Sequence, residues 1–216
     1  MQKYSHIIWD WNGTLFNDVA WCIQVINTML KKRGIKTLEN IAEYHNVFGF
    51  PIVEYYKNVG LDMESERFED LAVEWLEYYH SNNSGGCGLY PGAAAVLEAV
   101  SKSGISQVIL SASEQNNLMS QVREFDITKY FDEILGISDI YAKSKVAVGL
   151  DYIARSSVNN AILVGDTKHD YEVTKALGID CVLIPNGHQS KNMLLLQGVP
   201  VLDDITCVIE YIVKQP

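Results

Sequence analysis

Cysteine is sparse in this chain and shows no pairing pattern. Cys22, Cys87, Cys181 and Cys207 form no CxxC pair and have no histidine at zinc-ligand spacing, which excludes a zinc ribbon or a redox dithiol. Three of them lie in apolar surroundings and read as buried, reduced thiols. Positive charge is also short: 17 Lys and Arg stand against 27 Asp and Glu, a formal net charge of −10. That balance argues against nucleic acid and anionic membrane as partners. Any anionic substrate must be drawn in by local charge. Long apolar runs are missing as well, none approaching the ~18 residues that span a bilayer. Met1 to Ser5 leads straight into a strand pattern with no space for a signal peptide, so the cytoplasm is the expected compartment. No repeat or low-complexity tract interrupts the chain.

What is present is enough for a substantial core: 216 residues, 48% of them apolar, allow one α/β domain carrying an insertion. Strand-like runs recur at Ile7–Trp9, Ser106–Leu110, Glu133–Gly136, Ala161–Val164 and Cys181–Ile184, with helical periods between the later ones. Strands alternating with helices predict right-handed crossovers and a parallel sheet covered on both faces. The stretch from Asn17 to Cys87 breaks that rhythm. It carries helical patterns at Val19–Lys32 and Phe68–His80, 11 acids against 6 bases, and a flexible return at Ser81–Gly86. It reads as a helical insertion after the first strand, and Pro91-Gly92 then opens the next core helix.

Four polar signals sit at strand ends or helix starts. The first is His6-Ile7-Ile8-Trp9-Asp10 with Gly13 and Thr14, an apolar run stopping in an acid, a glycine and a hydroxyl. The second is Val108-Ile109-Leu110-Ser111-Ala112-Ser113. The third is Lys143-Ser144-Lys145 before a helical segment, and the fourth is Val164-Gly165-Asp166-Thr167-Lys168-His169-Asp170. Each alone is ordinary turn chemistry. Strand termini of a parallel sheet share one edge, so groups remote in sequence can converge there. A carboxylate at such a terminus must be solvated, paired or bound to a metal.

In this order and spacing the chain resembles the haloacid dehalogenase superfamily, within it the phosphoglycolate-phosphatase-like members with a helical cap. The resemblance spans essentially the whole length, including the insertion and the return at Tyr90-Pro91-Gly92-Ala93. It implies a Rossmann-like parallel-sheet core (1–16 and 88–216) with an inserted α-helical cap (17–87). It implies a Mg²⁺-dependent phosphatase acting on a small phosphorylated metabolite through an aspartyl-phosphate. Asp10 matches the nucleophile. Asp10, the Asn12 carbonyl and Asp166 match the metal ligands, with Asp170 as a further ligand or as their orienter. Ser111 matches the hydroxyl on a phosphoryl oxygen, beside backbone N–H groups near Trp11 and Ala112. Lys145 matches the lysine that neutralises phosphate and nucleophile, in preference to Lys143. Val146 follows where the family usually has proline.

One departure bears on the chemistry. The family usually places a second Asp two residues after the nucleophile, as the acid that protonates the leaving oxygen and then activates water. Here that residue is Asn12, whose amide does not titrate. General acid–base help of this kind is worth about 10²–10⁴ in rate. Four readings stay open: a proton from His188, His169 or Asp18; a good leaving group such as an acyl or aryl phosphate; an engineered trap; or a phosphate-binding regulatory protein with weak turnover. A phosphonate hydrolase using a cap lysine (Lys31, Lys32, Lys36 or Lys57) is a further alternative.

The remaining candidates have bland readings beside functional ones. Trp9 reads as core, whereas Trp11 borders the site or is partly exposed. Phe48, Gly49 and Phe50, flanked by His45 and Pro51, face the substrate or pack internally. Tyr55, Tyr56, Trp75, Tyr78 and Tyr79 read mostly as cap core. Gly187-His188-Gln189-Ser190 borders the site or forms a surface turn. Oligomeric state is not legible at this level.

Overall fold

The structure is a computed structural model describing residues 3–81, 86–141, 144–156, 158 and 160–213. Lys143 and most of the glycine- and serine-rich return to the core (82–85) lie outside the described residues.

Five parallel strands form the central sheet: β1 (His6–Trp9), β4 (Ser106–Glu114), β5 (Glu133–Ile137), β6 (Ala161–Gly165) and β7 (Asp180–Leu183), in the order β5-β4-β1-β6-β7. The first strand is therefore central, and its Ile7, Ile8 and Trp9 are buried on both faces, as parallel sheets under helical cover require. Residues alternate between two cores. Ile7, Trp9, Ile109, Ile162 and Val164 pack with α5 (Ala93–Lys102) and α10 (Cys207–Val213). Ile8, Val108, Leu110 and Leu163 pack on the other face with α7 (Val146–Arg155) and α8 (Lys168–Leu177).

The register fixes where the polar signals fall. Trp9 pairs with Ile109 on one side and Val164 on the other. The residues just beyond these pairs, Asp10, Ser111 and Asp166, thus emerge at one carboxyl edge of the sheet. In open α/β sheets this edge is where ligands bind.

The helices α1 (Val19–Lys32), α2 (Ile41–Val47), α3 (Ile52–Asn58) and α4 (Phe68–Ser81) lie between β2 (Phe16–Asn17) and β3 (Gly88–Leu89). They have an apolar core of their own: Cys22, Val25, Ile26, Met29 and Leu30 of α1, at helical spacing, meet Tyr44, Tyr55, Leu71 and Tyr79. Burying such a stripe is what makes these short helices stable. Asn40 caps α2 by accepting from the Glu43 N–H at 3.0 Å, worth about 1 kcal/mol. The chain's way into this region and its way out are zipped into one antiparallel ladder, Phe16 with Leu89 and Asn17 with Gly88. Two-residue strands carry no periodicity, so nothing in the sequence announces this ladder. The strand β4 also runs past Leu110 to Glu114, with a register irregularity through its polar tail.

Trp11 departs from the expectation that it borders the site or is partly exposed. It is fully buried, stacked on Phe16 with ring centroids 5.3 Å apart, and donates from Nε1 to Gln121 at 2.8 Å. It joins the same core as Trp9, two residues earlier, through contacts that no local pattern announces.

Candidate active site

Asp10 leaves the end of β1 beside Lys145, which precedes α7. The Lys145 ammonium contacts Asp10 Oδ1 directly and lies 2.7 Å from Asp170 Oδ1. This lysine is almost fully buried, at 1% exposure, so its charge must be matched locally. It is over-matched. Asp166, at the end of β6, completes a buried trio of carboxylates with oxygens all within 4.8 Å of one another.

Each acid is held by something the sequence encodes nearby. Asp170 closes a capping box on α8: its Oδ2 accepts from the Thr167 N–H at 3.0 Å and the Thr167 hydroxyl at 2.6 Å, while Thr167 Oγ1 accepts from the Asp170 N–H. One residue thus both caps the helix and presents its second oxygen to Lys145. Asp166 Oδ2 accepts the backbone N–H of His188 at 2.5 Å, and Thr14 Oγ1 lies 3.1 Å from Asp10 Oδ2 and 3.4 Å from Asp166 Oδ1. Gly13, at φ +77°, and Gly187 leave the space that the Asp166 carboxylate occupies, because a Cβ on either would overlap it.

The electrostatics follow from three buried acids and one buried base. Burial pushes the Asp10 carboxyl up to about 6 despite Lys145, and burial pushes Asp166 well above the carboxylate range. Asp170 feels the same burial, but the Lys145 ammonium and the Thr167 hydroxyl outweigh it and hold the group low. Burial alone would lower Lys145, yet Asp10 and Asp170 keep it raised and charged. Fully ionised, the cluster carries two negative charges beyond what Lys145 neutralises. Hard carboxylate oxygens with a surplus of two charges fit Mg²⁺ rather than a soft metal. Asp10, Asp166 and the Asn12 carbonyl would hold it, with Asp170 adjoining.

Ser111 follows the apolar part of β4 and is buried; its Oγ accepts from the Ser113 N–H at 3.1 Å. Ser111 and Ala112 line a cavity of ≈190 Å³ together with Asp10 and Lys145. Asn12 also lines it, with its amide fixed at both ends: Nδ2 donates to Asp18 Oδ2 at 2.8 Å, and Oδ1 accepts from the Ser113 hydroxyl at 2.8 Å.

The helical region closes over this floor through a buried network. Asp18 Oδ2 also accepts from the Tyr79 hydroxyl at 3.0 Å, and Asp18 Oδ1 lies 3.3 Å from His188 Nε2. Tyr44 and His188 Nδ1 are 2.8 Å apart, and His45 Nε2 meets the Gly187 carbonyl at 3.0 Å. Burial opposes a charge on His188, but Asp18 more than compensates and raises it to about 9; Asp18 in turn is held low by His188. Both Phe48, stacked on His188 at 4.9 Å, and Phe50, stacked on His169 at 4.4 Å, line the cavity. Gly49 between them does not contribute to the wall, and a side chain there would meet open space within 4 Å. Burial lowers His169, which leaves that imidazole neutral.

Of the sequence candidates, Asp10, Asn12, Ser111, Ala112, Lys145, Asp166, Asp170, Asp18, Phe48, Phe50 and His188 meet at one cavity. Trp11 and Gly49 do not take part through side chains. Tyr44, Tyr79, Ser113 and Thr167 were not singled out for the site. Their only signals were a tyrosine at helical spacing or a hydroxyl beside a marked acid, which ordinary packing and turns also produce.

Comparison with known proteins fits this geometry. The haloacid dehalogenase-like hydrolase family matches residues 7–184. The chain belongs to that family. It is 23% identical over 191 residues to a phosphoglycolate phosphatase of Pseudomonas fluorescens, covering 84% of this chain and 70% of the relative. Among solved structures, a haloacid dehalogenase-like hydrolase of Streptococcus pneumoniae superposes with a TM-score of 0.83 at 21% identity, covering 98% of this chain and 99% of the other. The Mycobacterium tuberculosis protein tyrosine kinase A superposes at 0.79 with 20% identity over 98% and 99% of the two chains. These structural likenesses establish the Rossmann-like α/β fold of the family.

Proposed function

We propose that this hydrolase is a Mg²⁺-dependent phosphatase that cleaves a small phosphate monoester through an aspartyl-phosphate on Asp10. The observation that carries the reading is the buried cluster of three carboxylates around a single lysine, Lys145, which holds two uncompensated charges once all three acids are ionised. A purely structural core gains nothing from such a surplus, because each unpaired buried charge costs several kcal/mol.

Asp10 supplies the attacking oxygen, and the contact with Lys145 aligns that carboxylate and brings a positive charge to the phosphoryl oxygens. Ser111 and the Ala112 N–H are placed to hold those oxygens as charge shifts in the transition state. Asp166, fixed by Thr14 and the His188 N–H, and Asp170, fixed by the start of α8, keep the acidic face rigid. Bound Mg²⁺ would screen the nucleophile from the phosphate dianion and polarise the phosphoryl group. The contacts of Tyr44 and His45 with the 187–188 loop close the helices over the site, which keeps bulk water from the reacting atoms. The phosphoglycolate phosphatase relative supports phosphate-ester hydrolysis as the reaction class and a small phosphorylated metabolite as the substrate class.

The test is release of phosphate from 4-nitrophenyl phosphate with Mg²⁺ and with excess chelator, for the native chain and Asp10→Asn. Expected is metal-dependent release that Asp10→Asn abolishes. Release that survives both would overturn the reading. The clamped amide of Asn12 favours a second reading, binding with little turnover. Thermal stabilisation by inorganic phosphate without any phosphate release marks that case.

A further inference from the structure

Much of the cavity wall is aromatic. Phe50, Tyr56, Phe68, Trp75, Tyr79 and Tyr141 all contribute to it. Tyr56, Phe68, Trp75 and Tyr79 come from α3 and α4 and also belong to, or pack against, the apolar core around Met29 and Leu71. Charge is distributed unevenly in the same space. Among the described lining residues Lys145 is the one lysine and there is no arginine; its ammonium is already shared between Asp10 and Asp170. Three histidines complete the lining: His188 lies 3.3 Å from Asp18, His169 stacks on Phe50, and His80 packs edge-on against Tyr79. Among the described lining residues a substrate carboxylate would find no lysine or arginine that is not already engaged by the acids. The Tyr55 hydroxyl, in contrast, is buried in this wall without a hydrogen-bond partner, which suits one neutral polar atom on a ligand.

A second observation is independent of the wall. Asn12, at the position the family resemblance gives to a proton-donating acid, carries an amide that does not titrate and is held by Asp18 and Ser113. With no titrating group at residue 12, the leaving group that suits this site is one that departs as an anion. A phenol, with a pKa of about 10, does so far more readily than an alcohol, whose pKa lies well above that.

Resting on the phosphatase reading above, we propose that the substrate is the phosphate monoester of an uncharged phenol, its ring held by the aromatic wall and its phosphate on Asp10, Ser111 and Lys145. An Asp10 carboxylate oxygen bonds to phosphorus as the P–O(aryl) bond breaks. The bonding pair leaves on the phenolate oxygen, which takes a proton from solvent after release. Water then bonds to phosphorus, the P–O(Asp10) bond breaks to restore the carboxylate, and the water proton passes to solvent.

The experiment compares kcat/KM of the full chain with Mg²⁺ for phenyl, 2-naphthyl, benzyl and 4-carboxyphenyl phosphates and for 2-phosphoglycolate, by phosphate release. Benzyl phosphate keeps the ring but has an alkyl leaving oxygen; the 4-carboxyphenyl ester keeps the aryl oxygen but adds a charge. Phenyl and 2-naphthyl phosphates are expected to exceed benzyl phosphate and 2-phosphoglycolate by about 10² or more, the scale of a missing general acid. They are expected to exceed the 4-carboxyphenyl ester by about tenfold or more, since its carboxylate goes unpaired. Trp75→Ala should raise KM for 2-naphthyl phosphate with little change in kcat. If the carboxyphenyl ester or 2-phosphoglycolate is turned over as well as phenyl phosphate, the substrate proposal fails while the phosphatase reading stands. If no ester releases phosphate, both fail together.

Discussion

Asn12 and Asp18 face each other at 2.8 Å, the amide of one donating to the carboxylate of the other. The interaction sets what a mutation at Asn12 can do. An aspartate there would meet a buried carboxylate that His188 and Tyr79 already hold ionised. Restoring an acid to the family's usual position therefore needs the partner changed as well.

Asn12→Asp alone is expected to lower Tm, because two buried carboxylates in contact force one of them to take a proton. The reciprocal double variant Asn12→Asp/Asp18→Asn restores a donor–acceptor pair and should recover most of that loss. Thermal melts of all four species give the coupling, expected at about 1–3 kcal/mol. The double variant should also raise turnover of benzyl phosphate at least tenfold, within the range of general acid catalysis. With 4-nitrophenyl phosphate, the native chain should release a burst of about one equivalent of nitrophenolate before a slower steady state, since nothing at residue 12 activates the second-step water. Equal benzyl turnover in native and double variant would place the acid elsewhere.

Lys145 bears a different burden. Removing its charge as Lys145→Met leaves Asp10, Asp166 and Asp170 facing one another in a dry pocket. The variant is expected to be roughly 3 kcal/mol less stable in chelator and inactive toward aryl esters. Mg²⁺ should restore part of the stability and none of the activity. Denaturant melts with and without metal check this, and full stability in chelator would show that the acids hold protons at no cost.

The metal reading predicts its own thermal signature. Free Mg²⁺ at 100-fold over its Kd should stabilise the native chain by about 2.7 kcal/mol, and Asp166→Asn should largely erase that increment. Calorimetric titration at fixed pH measures both. A Mg²⁺ increment unchanged by Asp166→Asn would remove this carboxylate from the ligand set.

The parts of this site readable in the sequence are those at strand ends. Buried strands must stop in something polar where they reach solvent or ligand, so Asp10, Ser111 and Asp166 announce themselves through the apolar runs before them. Lys145 is legible only beside them, since a lysine before a helix is usually solvated. The Tyr44–His188 and Tyr79–Asp18 contacts join residues 144 and 61 apart in sequence, and no local pattern encodes such pairings. The aromatic wall was hidden for another reason. A helix facing a cavity has the same period as a helix facing a core, so Tyr56, Trp75 and Tyr79 read as packing when they are also lining. Trp11 is not legible as core from its place beside Asp10, because its burial comes from stacking on Phe16 and from Gln121, a partner 110 residues away.

Arg33, at the end of α1, lets the sign of one pH effect be worked out away from the site. Its Nη2 lies 2.6 Å from Glu66 Oε2 and 2.6 Å from Glu74 Oε2, its Nε adds a second bond to Glu66, and its Nη1 donates to the Met29 carbonyl at 3.1 Å. Hydrogen bonds from Arg33 hold both carboxyls below the usual carboxylate range. A group with a lowered folded pKa contributes fully above its unfolded value and loses that contribution as pH falls through the folded one. The clamp therefore works above about pH 4.5 and fades below it. Both glutamates are partly solvated, so Arg33→Met is expected to cost only about 1 kcal/mol at pH 7, less in high salt. The difference in stability between native chain and variant should be flat from about pH 6 to 8 and shrink toward zero below pH 4.5. Urea melts across that range test it. A difference that persists in acid would assign the effect to packing of the arginine stem between α1 and α4 instead of to its charge.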